Sequence, residues 1–325
     1  MLIAVNYHYV RPVFDAPHPS IHGVTPRQFE AQLKLLGAAG EFVGAGQIRA
    51  ALHGKPLPPR AIAITFDDGL REQADHAWPV LSRLGIPALF FINTAPRAEG
   101  KVMTVHKIHI LRSQVAPASF LALLRRNAQI LGIELERDGA DGSAEMQYPY
   151  DPPEVARVKY LLNAQLAHDD RDRLIDACFS EVYPGQESAM SRDLYMETAQ
   201  IRSLAERGCI GSHLHDHLSI GFLSEHAAQE QIHLSIVYLE KWTGLRPFAM
   251  SYPYGSRQIC PPSVGALAAK DGIEFAFTME RAGNRKLDLP LHLARFDCND
   301  VPGGKSCQWK AEEFFESVPT ANWHR

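Results

Sequence analysis

The sequence predicts an α/β fold: a parallel sheet with crossover helices, broken once by a helical insertion. Three observations lead there. Short apolar runs alternate with amphipathic helical stretches. The chemically loaded residues each follow the end of such a run. The alternation lapses between about residues 96 and 192, where only helical patterning is found.

The organising run is Ala61-Ile62-Ala63-Ile64-Thr65-Phe66, too short for a helix and bounded by Pro59 and Gly69, which reads as a buried strand. It ends in Asp67 and Asp68. Carboxylates there lose hydration at a cost on the order of several kcal/mol unless paired or bound to a metal. Successive side chains leave a strand on opposite faces. The two acids are therefore expected in different roles, one ligating a metal and one handling protons. A polar Asp-Asp-Gly turn is the plainer alternative.

In chain order, Leu2 to Val10 is a β-prone apolar run that carries Asn6 and His8 near its end. Arg11 to Pro26 reads as a loop. Thr25-Pro26 opens a helix to about Ala39, with Phe29, Leu33 and Leu36 as its apolar stripe and Gly40 as its stop. A loop with Pro56, Pro58 and Pro59 leads into the central strand. A helix follows from about Arg71 to Leu84, then a strand from Ile86 to Ile92.

Within the insertion, Phe120, Leu123, Leu124 and Leu131 make one apolar face, and Val158, Leu161, Leu162 and Leu166 another. Asp138 to Ser143 and Tyr148 to Pro153 read as loops. The insertion is expected to cover one end of the sheet and govern access or substrate choice. His106 and His109, near its start, read as capping or packing residues.

The alternation then resumes. A helix is expected from Thr198 to Arg207, a strand over Cys209 to Ser212, and a Ser224-capped helix to about Trp242. Strands at Pro247 to Ser251 and Phe275 to Thr278 flank a helix over Val264 to Lys270. Leu291 to Phe296 reads as the last strand, and Gln308 to Arg325 as a weakly helical tail. The expected organisation is one domain, 1–307, interrupted by the insertion 96–192 and followed by a tail, 308–325.

A net charge of −4, mixed in sign, points away from nucleic acid and anionic membrane surfaces. No apolar run approaches membrane-spanning length, so no integral membrane segment is expected. Met1 to His8 lacks the basic and apolar parts of a signal peptide. The five cysteines, Cys178, Cys209, Cys260, Cys298 and Cys307, are scattered and form no CxxC pair. They read as reduced thiols of a cytoplasmic protein. The oligomeric state is not encoded legibly.

The stretch His213-Leu214-His215-Asp216-His217 puts three imidazoles in five residues, a set that suits zinc and neighbouring divalent metals. A spacing of four brings two rings to one ion if the segment turns like a helix. The HExxH arrangement is absent. Two His and one Asp leave an open coordination position, as catalytic zinc requires. A solvated histidine turn is the alternative. Tyr252-Pro253-Tyr254-Gly255 ends the next strand. In a parallel sheet with crossovers, strand C-terminal ends lie on one face, so these distant residues are expected to meet.

Thr65-Phe66-Asp67-Asp68-Gly69 resembles the first motif of the polysaccharide deacetylase family, the NodB-homology domain of carbohydrate esterases. His213-Leu214-His215-Asp216-His217 resembles its second, His-Ser/Thr-x-x-His, and Ser251-Tyr252-Pro253-Tyr254 its third, Arg-x-Pro-Tyr. The resemblance spans roughly residues 1–95 and 195–300. It implies a distorted (β/α)7-type barrel, the glycoside hydrolase/deacetylase fold. It also implies a metal-dependent hydrolase that removes an N-acetyl group from an amino sugar, in a polysaccharide or its nucleotide- or lipid-linked precursor for cell-surface glycan synthesis.

The implied ligands are Asp68, His213 and His217, holding Zn2+ foremost, with Co2+, Ni2+, Fe2+ or Mn2+ as alternatives. Asp67 is the implied general base. The backbone near Tyr254, with Tyr252 and Pro253 beside it, is the implied oxyanion and substrate site. Three departures stand out. Leu214 replaces Ser or Thr in the second motif. Ser251 replaces the Arg that holds the base, and Arg295 is the expected substitute. Leu289-Pro290-Leu291-His292 is a poor match to the late Leu-x-His that supplies the acid. Tyr7-His8 resembles the N-terminal Tyr-His of members with permuted motifs, so His8 is preferred over His292 as the acid. Two rivals remain: a deformylase or cyclic-amide amidohydrolase using the same site, and a non-catalytic carbohydrate-binding relative.

Overall fold

The computed structural model describes residues 1–18, 20–21, 23–135, 152–162 and 166–323. The chain divides into two compact units. The first comprises Met1–Pro12, Gly23–Gly100 and Ser191–Arg325, and the second Val13–His22 and Lys101–Met190.

The first unit opens with β1 (Leu2–Tyr7), α1 (Pro26–Ala39), β2 (Glu41–Phe42), α2 (Ala45–Leu52), β3 (Ala61–Phe66), α3 (Trp78–Leu84), β4 (Ala88–Ile92) and the short α4 (Ala95–Glu99). The second unit contributes α5 (Thr104–Gln114), α6 (Pro117–Leu131), α7 (Pro153–Tyr160) and α8 (His168–Val182); α9 (Glu187–Leu194) crosses the boundary. The first unit resumes with α10 (Thr198–Ala205), β5 (Ile210–Ser212), α11 (Glu225–Thr243), β6 (Ala249–Ser251), α12 (Pro262–Lys270), β7 (Phe275–Phe277), β8 (Phe296–Asp297) and α13 (Phe314–Ser317).

All strand pairings are parallel, in the order β7-β6-β5-β4-β3-β1-β8, with β2 also on β3. The fold is a curled, half-barrel parallel sheet surrounded by helices. Every residue of β1, β3 and β4 is buried, as strands covered on both faces must be. The period of two sorts their side chains. Ile3, Val5, Tyr7, Ile62, Ile64, Phe66 and Phe90 join Phe29, Leu33 and Leu36 of α1 in one cluster. Leu2, Ala4, Ala61, Ala63, Leu89 and Phe91 join Ala249, Phe275 and Phe277 in another, on the opposite face. Phe66 stacks on Phe90 with centroids 4.7 Å apart, tying β3 to β4.

Local chemistry sets several boundaries. Thr25 caps α1 by accepting from Gln28 N at 3.2 Å, with Pro26 at the first helical position. The helix expected over Arg71 to Leu84 instead opens into a π-turn, Gln73–Ala77, ahead of α3. Pro79 has no N–H to close the regular ladder there. β2 and α2 occupy a stretch expected to be loop. The last strand is also shorter than expected: Pro290–His292 is a 3-10 turn, and only Phe296–Asp297 pairs with β1. Leu293 meets Phe277 through a single bridge. The segment expected as a tail carries Phe314, Phe315 and Val318 into the cluster beside α1.

In the second unit, α6 packs on α7 and α8, and α5 on α8. Phe120, Leu123, Leu124, Val158, Leu161 and Leu162 are buried there, with Leu174, Ile175, Cys178 and Phe179 facing them from α8. Lys107, nearly buried, is neutralised by Asp176 at 2.8 Å and Glu187 at 2.7 Å. His106 is fully buried, and its ring lies 6.1 Å from that of His109. The expected loops at Asp138 to Ser143 and Tyr148 to Pro153 lie, apart from Pro152 and Pro153, outside the described residues. No described helix is long and apolar enough to cross a membrane.

Candidate active site

Sheet register assembles the site. β1 and β3 end in step at Tyr7 and Phe66, so His8 follows beside Asp67. β4 and β5 end in step at Ile92 and Ser212, which sets Asn93 beside His213. Ser212 pairs with Met250, so the next residues, His213 and Ser251, are neighbours as well.

Asp68, His213 and His217 converge as expected. Asp68 Oδ1 stands 3.5 Å from His213 Nε2 and 3.4 Å from His217 Nε2, and all three side chains are nearly buried. Ligand atoms arranged tetrahedrally at zinc's bond lengths of about 2.0–2.1 Å stand roughly 3.3–3.4 Å apart, so the spacing suits such an ion. The donor set, two imidazole nitrogens and one carboxylate oxygen, also suits it.

The histidine stretch is not helical. Leu214 (φ 62°) and His217 (φ 57°) both adopt left-handed backbone, as do Asp68 (φ 79°) and Tyr254 (φ 60°). Non-glycine residues held there cost about 1 kcal/mol or more each and gather at functional sites. The loop is clamped from β4: Asn93 donates to the His213 carbonyl, and Ala95 N donates to His215 O at 3.1 Å. His215 turns away from the triad. Its Nδ1 lies 2.7 Å from Thr94 Oγ1 and its Nε2 2.7 Å from Glu99 Oε1, with its ring stacked on Tyr238. Glu99, His215 and Asp216 form a second cluster of ligand-type atoms, but both His215 nitrogens are already engaged.

Asp67 points elsewhere, into a polar group on the inner face. Arg295 grips it with both terminal nitrogens, Nη1 on Oδ1 at 2.8 Å and Nη2 on Oδ2. Asn6 Nδ2 donates to Oδ2 at 3.0 Å, and Asn6 Oδ1 accepts from Arg295 Nη1 at 3.0 Å. Burial alone would push the Asp67 carboxyl up; the Arg295 guanidinium, then His213 and His8, reverse that and hold it at about 2. Burial pushes the His213 imidazole down to about 4 despite the pull of Asp67, so the ring is neutral near pH 7. His8 Nε2 lies 4.0 Å from Asp67 Oδ2, with its side chain 37% exposed.

The third motif divides. Tyr254 is 38% exposed, and its ring meets that of His217 edge-on at 4.9 Å. Pro253 is buried between Tyr252 and Tyr254. The placement of Tyr252 departs from the substrate-binding role expected of it: the side chain is fully buried and its hydroxyl donates to Leu291 O at 2.9 Å. A side chain without surface offers a substrate nothing. His292 stacks on that ring, with Nε2 directed at Pro261 O at 3.4 Å, among packing residues.

Sequence reasoning did not assign site roles to Asn6, Asn93 or Gln73. Gln73, in the π-turn, donates to Asp67 O at 2.6 Å and His8 O at 2.9 Å. The available signal was Asn6, a lone amide inside the apolar run Leu2–Tyr7.

A family model described as polysaccharide deacetylase matches residues 54–117 and 183–276. The matched segments hold Asp67, Asp68, His213, His217 and Tyr252 to Tyr254, but neither His8 nor Arg295. Among solved structures, the deacetylase PplD of Streptococcus pyogenes, in complex with acetate, is 14% identical with a TM-score of 0.57, covering 98% of this chain and 97% of that one. IcaB from Ammonifex degensii is 19% identical at a TM-score of 0.52, covering 91% of this chain and 90% of its own. The BpsB deacetylase domain from Bordetella bronchiseptica is 15% identical at a TM-score of 0.52, covering 91% and 95%. At such identities the likeness is one of fold. No curated protein matches the chain at a significant level.

Proposed function

The chain belongs to the polysaccharide deacetylase family, and from that premise we propose that it is a metal-dependent hydrolase that removes an N-acetyl group from an amino sugar. The observation that carries this reading is the convergence of Asp68, His213 and His217 beside a separately anchored, ionised Asp67. A divalent ion held by the three, Zn2+ foremost, would supply a Lewis acid for the amide carbonyl and a lowered pKa for the attacking water.

The chain's own groups divide the remaining work. Asp67 takes a proton from the water as its oxygen adds to the carbonyl carbon. His8, on the exposed side of Asp67, returns a proton to the amine as the C–N bond breaks. The products are acetate and the free amino sugar. Tyr254 and the backbone beside it border the acyl oxygen, and its exposed ring offers a face to the sugar.

The substrate class in this reading is a cell-surface glycan or its nucleotide- or lipid-linked precursor. The five cysteines carry no disulfide, which suits action in a reducing compartment such as the cytoplasm.

The test is to load metal-stripped protein with Zn2+ and measure acetate and new amine from a panel of N-acetylated amino sugars. Zinc-dependent release of both, in equal amounts, supports the reading. Formate or a ring-opened amide in place of acetate would move it to the deformylase or cyclic-amide reaction. Protein that takes up no divalent ion and releases nothing overturns it.

A further inference from the structure

Ser251 stands at the end of β6 with no exposed surface, and it touches both halves of the site. Its hydroxyl oxygen lies 2.8 Å from Asp67 Oδ1 and 2.7 Å from His213 Nδ1, and its carbonyl oxygen lies 2.9 Å from the same Nδ1. The proton positions follow by elimination. Asp67 takes N–H donors from Arg295 and Asn6 on its two oxygens, so it is a carboxylate and only accepts. The single Ser251 hydroxyl proton therefore goes to Asp67 Oδ1. The oxygen then has only lone pairs to offer His213, and the backbone carbonyl can do nothing but accept. Nδ1 of His213 must carry the hydrogen, shared between the two oxygens. Nε2 is left bare, and it is the nitrogen that faces Asp68 at 3.5 Å.

We propose that Ser251 is a positioning residue that serves metal binding and proton transfer at once. It holds His213 in the one tautomer that can ligate a cation, and it fixes Asp67 Oδ1 so that Oδ2 faces the reacting water. The surroundings of Asp67 support the second part: each oxygen has two donors, but Oδ2 is the one that faces His8 Nε2 at 4.0 Å and the ligating His213 Nε2 at 3.9 Å. Ser251 and Arg295 Nη1 occupy Oδ1, whereas Oδ2 has Arg295 Nη2 and the neutral amide of Asn6 at 3.0 Å. Asn6 Nδ2 has a second, weak acceptor in Met279 Sδ at 3.9 Å, so it is the donor best able to yield when Oδ2 takes a proton. This inference rests on the hydrolase reading above and adds a residue to it.

The experiment compares wild type with Ser251→Ala and Ser251→Thr. Zn2+ affinity of the metal-stripped proteins is measured by competition with a chromophoric chelator. kcat and KM are measured at saturating Zn2+ on the N-acetylhexosamine oligomer that the wild type turns over best. Folding is checked by thermal unfolding of the metal-free forms. Ser251→Ala is expected to weaken Zn2+ binding by about 10-fold and to lower kcat by at least about 10-fold with KM unchanged. Ser251→Thr, which keeps the hydroxyl, is expected to recover most of both.

Ser251→Ala with wild-type Zn2+ affinity and kcat overturns the inference and leaves the hydrolase reading intact. Weakened Zn2+ binding with wild-type kcat at saturation overturns the link to Asp67. Wild type that takes up no Zn2+ overturns the hydrolase reading and this inference together. Normal Zn2+ uptake with no acetate from any sugar counts against the deacetylase reaction alone, and the chelator competition still decides the His213 half.

Discussion

Arg295 and Asp67 form a two-pronged ion pair inside the barrel, with the guanidinium fully buried and the carboxylate 3% exposed. The arginine reaches Asp67 from just before β8, on the far side of β1 from β3. Arg295→Ala is expected to leave a buried carboxylate with its main counter-charge removed, a loss of about 3–5 kcal/mol. Arg295→Lys should rescue only part of it, because an ammonium lacks the planar fork. Denaturant unfolding of the metal-free proteins checks both. A change below about 1 kcal/mol in Arg295→Ala would contradict the assignment.

Acid stability of the metal-free protein follows from two groups. His213 is held near 4 in the fold against an ordinary value of 6.5, so the unfolded chain binds its proton first. Stability is therefore full above about 6.5 and declines as pH falls toward 4. Asp67, at about 2 against 3.8, adds stability that is present above 3.8 and is lost as pH falls toward 2. Each window is worth on the order of 2–3 kcal/mol. Unfolding free energies measured from pH 7 to 4 should fall continuously, and His213→Ala should flatten that part of the curve.

Metal binding and turnover should separate by residue. Asp68→Ala and His217→Ala are expected to abolish tight Zn2+ uptake. Asp67→Asn should keep the ion while losing turnover by about 10²–10⁴-fold. His8→Gln should likewise keep Zn2+ and lower kcat. Metal analysis beside acetate release distinguishes the two classes, and Asp67→Asn protein with full activity would remove Asp67 from its role.

Gly211 lies where β5 crosses its neighbours closely. A Cβ there would stand 2.5 Å from the Phe91 ring and 2.8 Å from Ala249 O. Gly211→Ala must shift β5, two residues before His213, and is expected to destabilise by about 1–3 kcal/mol. Thermal unfolding measures the loss, and weakened Zn2+ uptake should accompany it.

Much of this was legible in the sequence because the chemistry sits at strand ends. Asp67, Asp68, His213, His217 and Tyr254 each follow a short apolar run, and a parallel sheet collects such ends on one face. What escaped was structure with little local signal. β2 is two residues long, and α2 is an eight-residue helix that buries only Ala45 and Ile48. The stretch Leu291 to Phe296 has the apolar content of a strand, yet Pro290 starts a 3-10 turn, Leu293 makes one bridge and only Phe296 reaches the ladder. Tyr252 reads as a substrate contact in the sequence because it lies within the third motif; only the packed structure reveals that its hydroxyl is bonded to Leu291 O. The inner polar group of Asn6, Thr65 and Arg295 depends on register between distant strands, which no local pattern encodes.

The reversed handedness at Leu214 and His217 has a consequence for how the ligand pair evolves. A helical pair four apart keeps its spacing wherever the helix continues. Here two left-handed steps bring both rings to the same Asp68 oxygen, and Leu214 is itself sealed in the core. One residue gained or lost between the two histidines would swing the second ring out of reach, so the pair fixes the length of this loop.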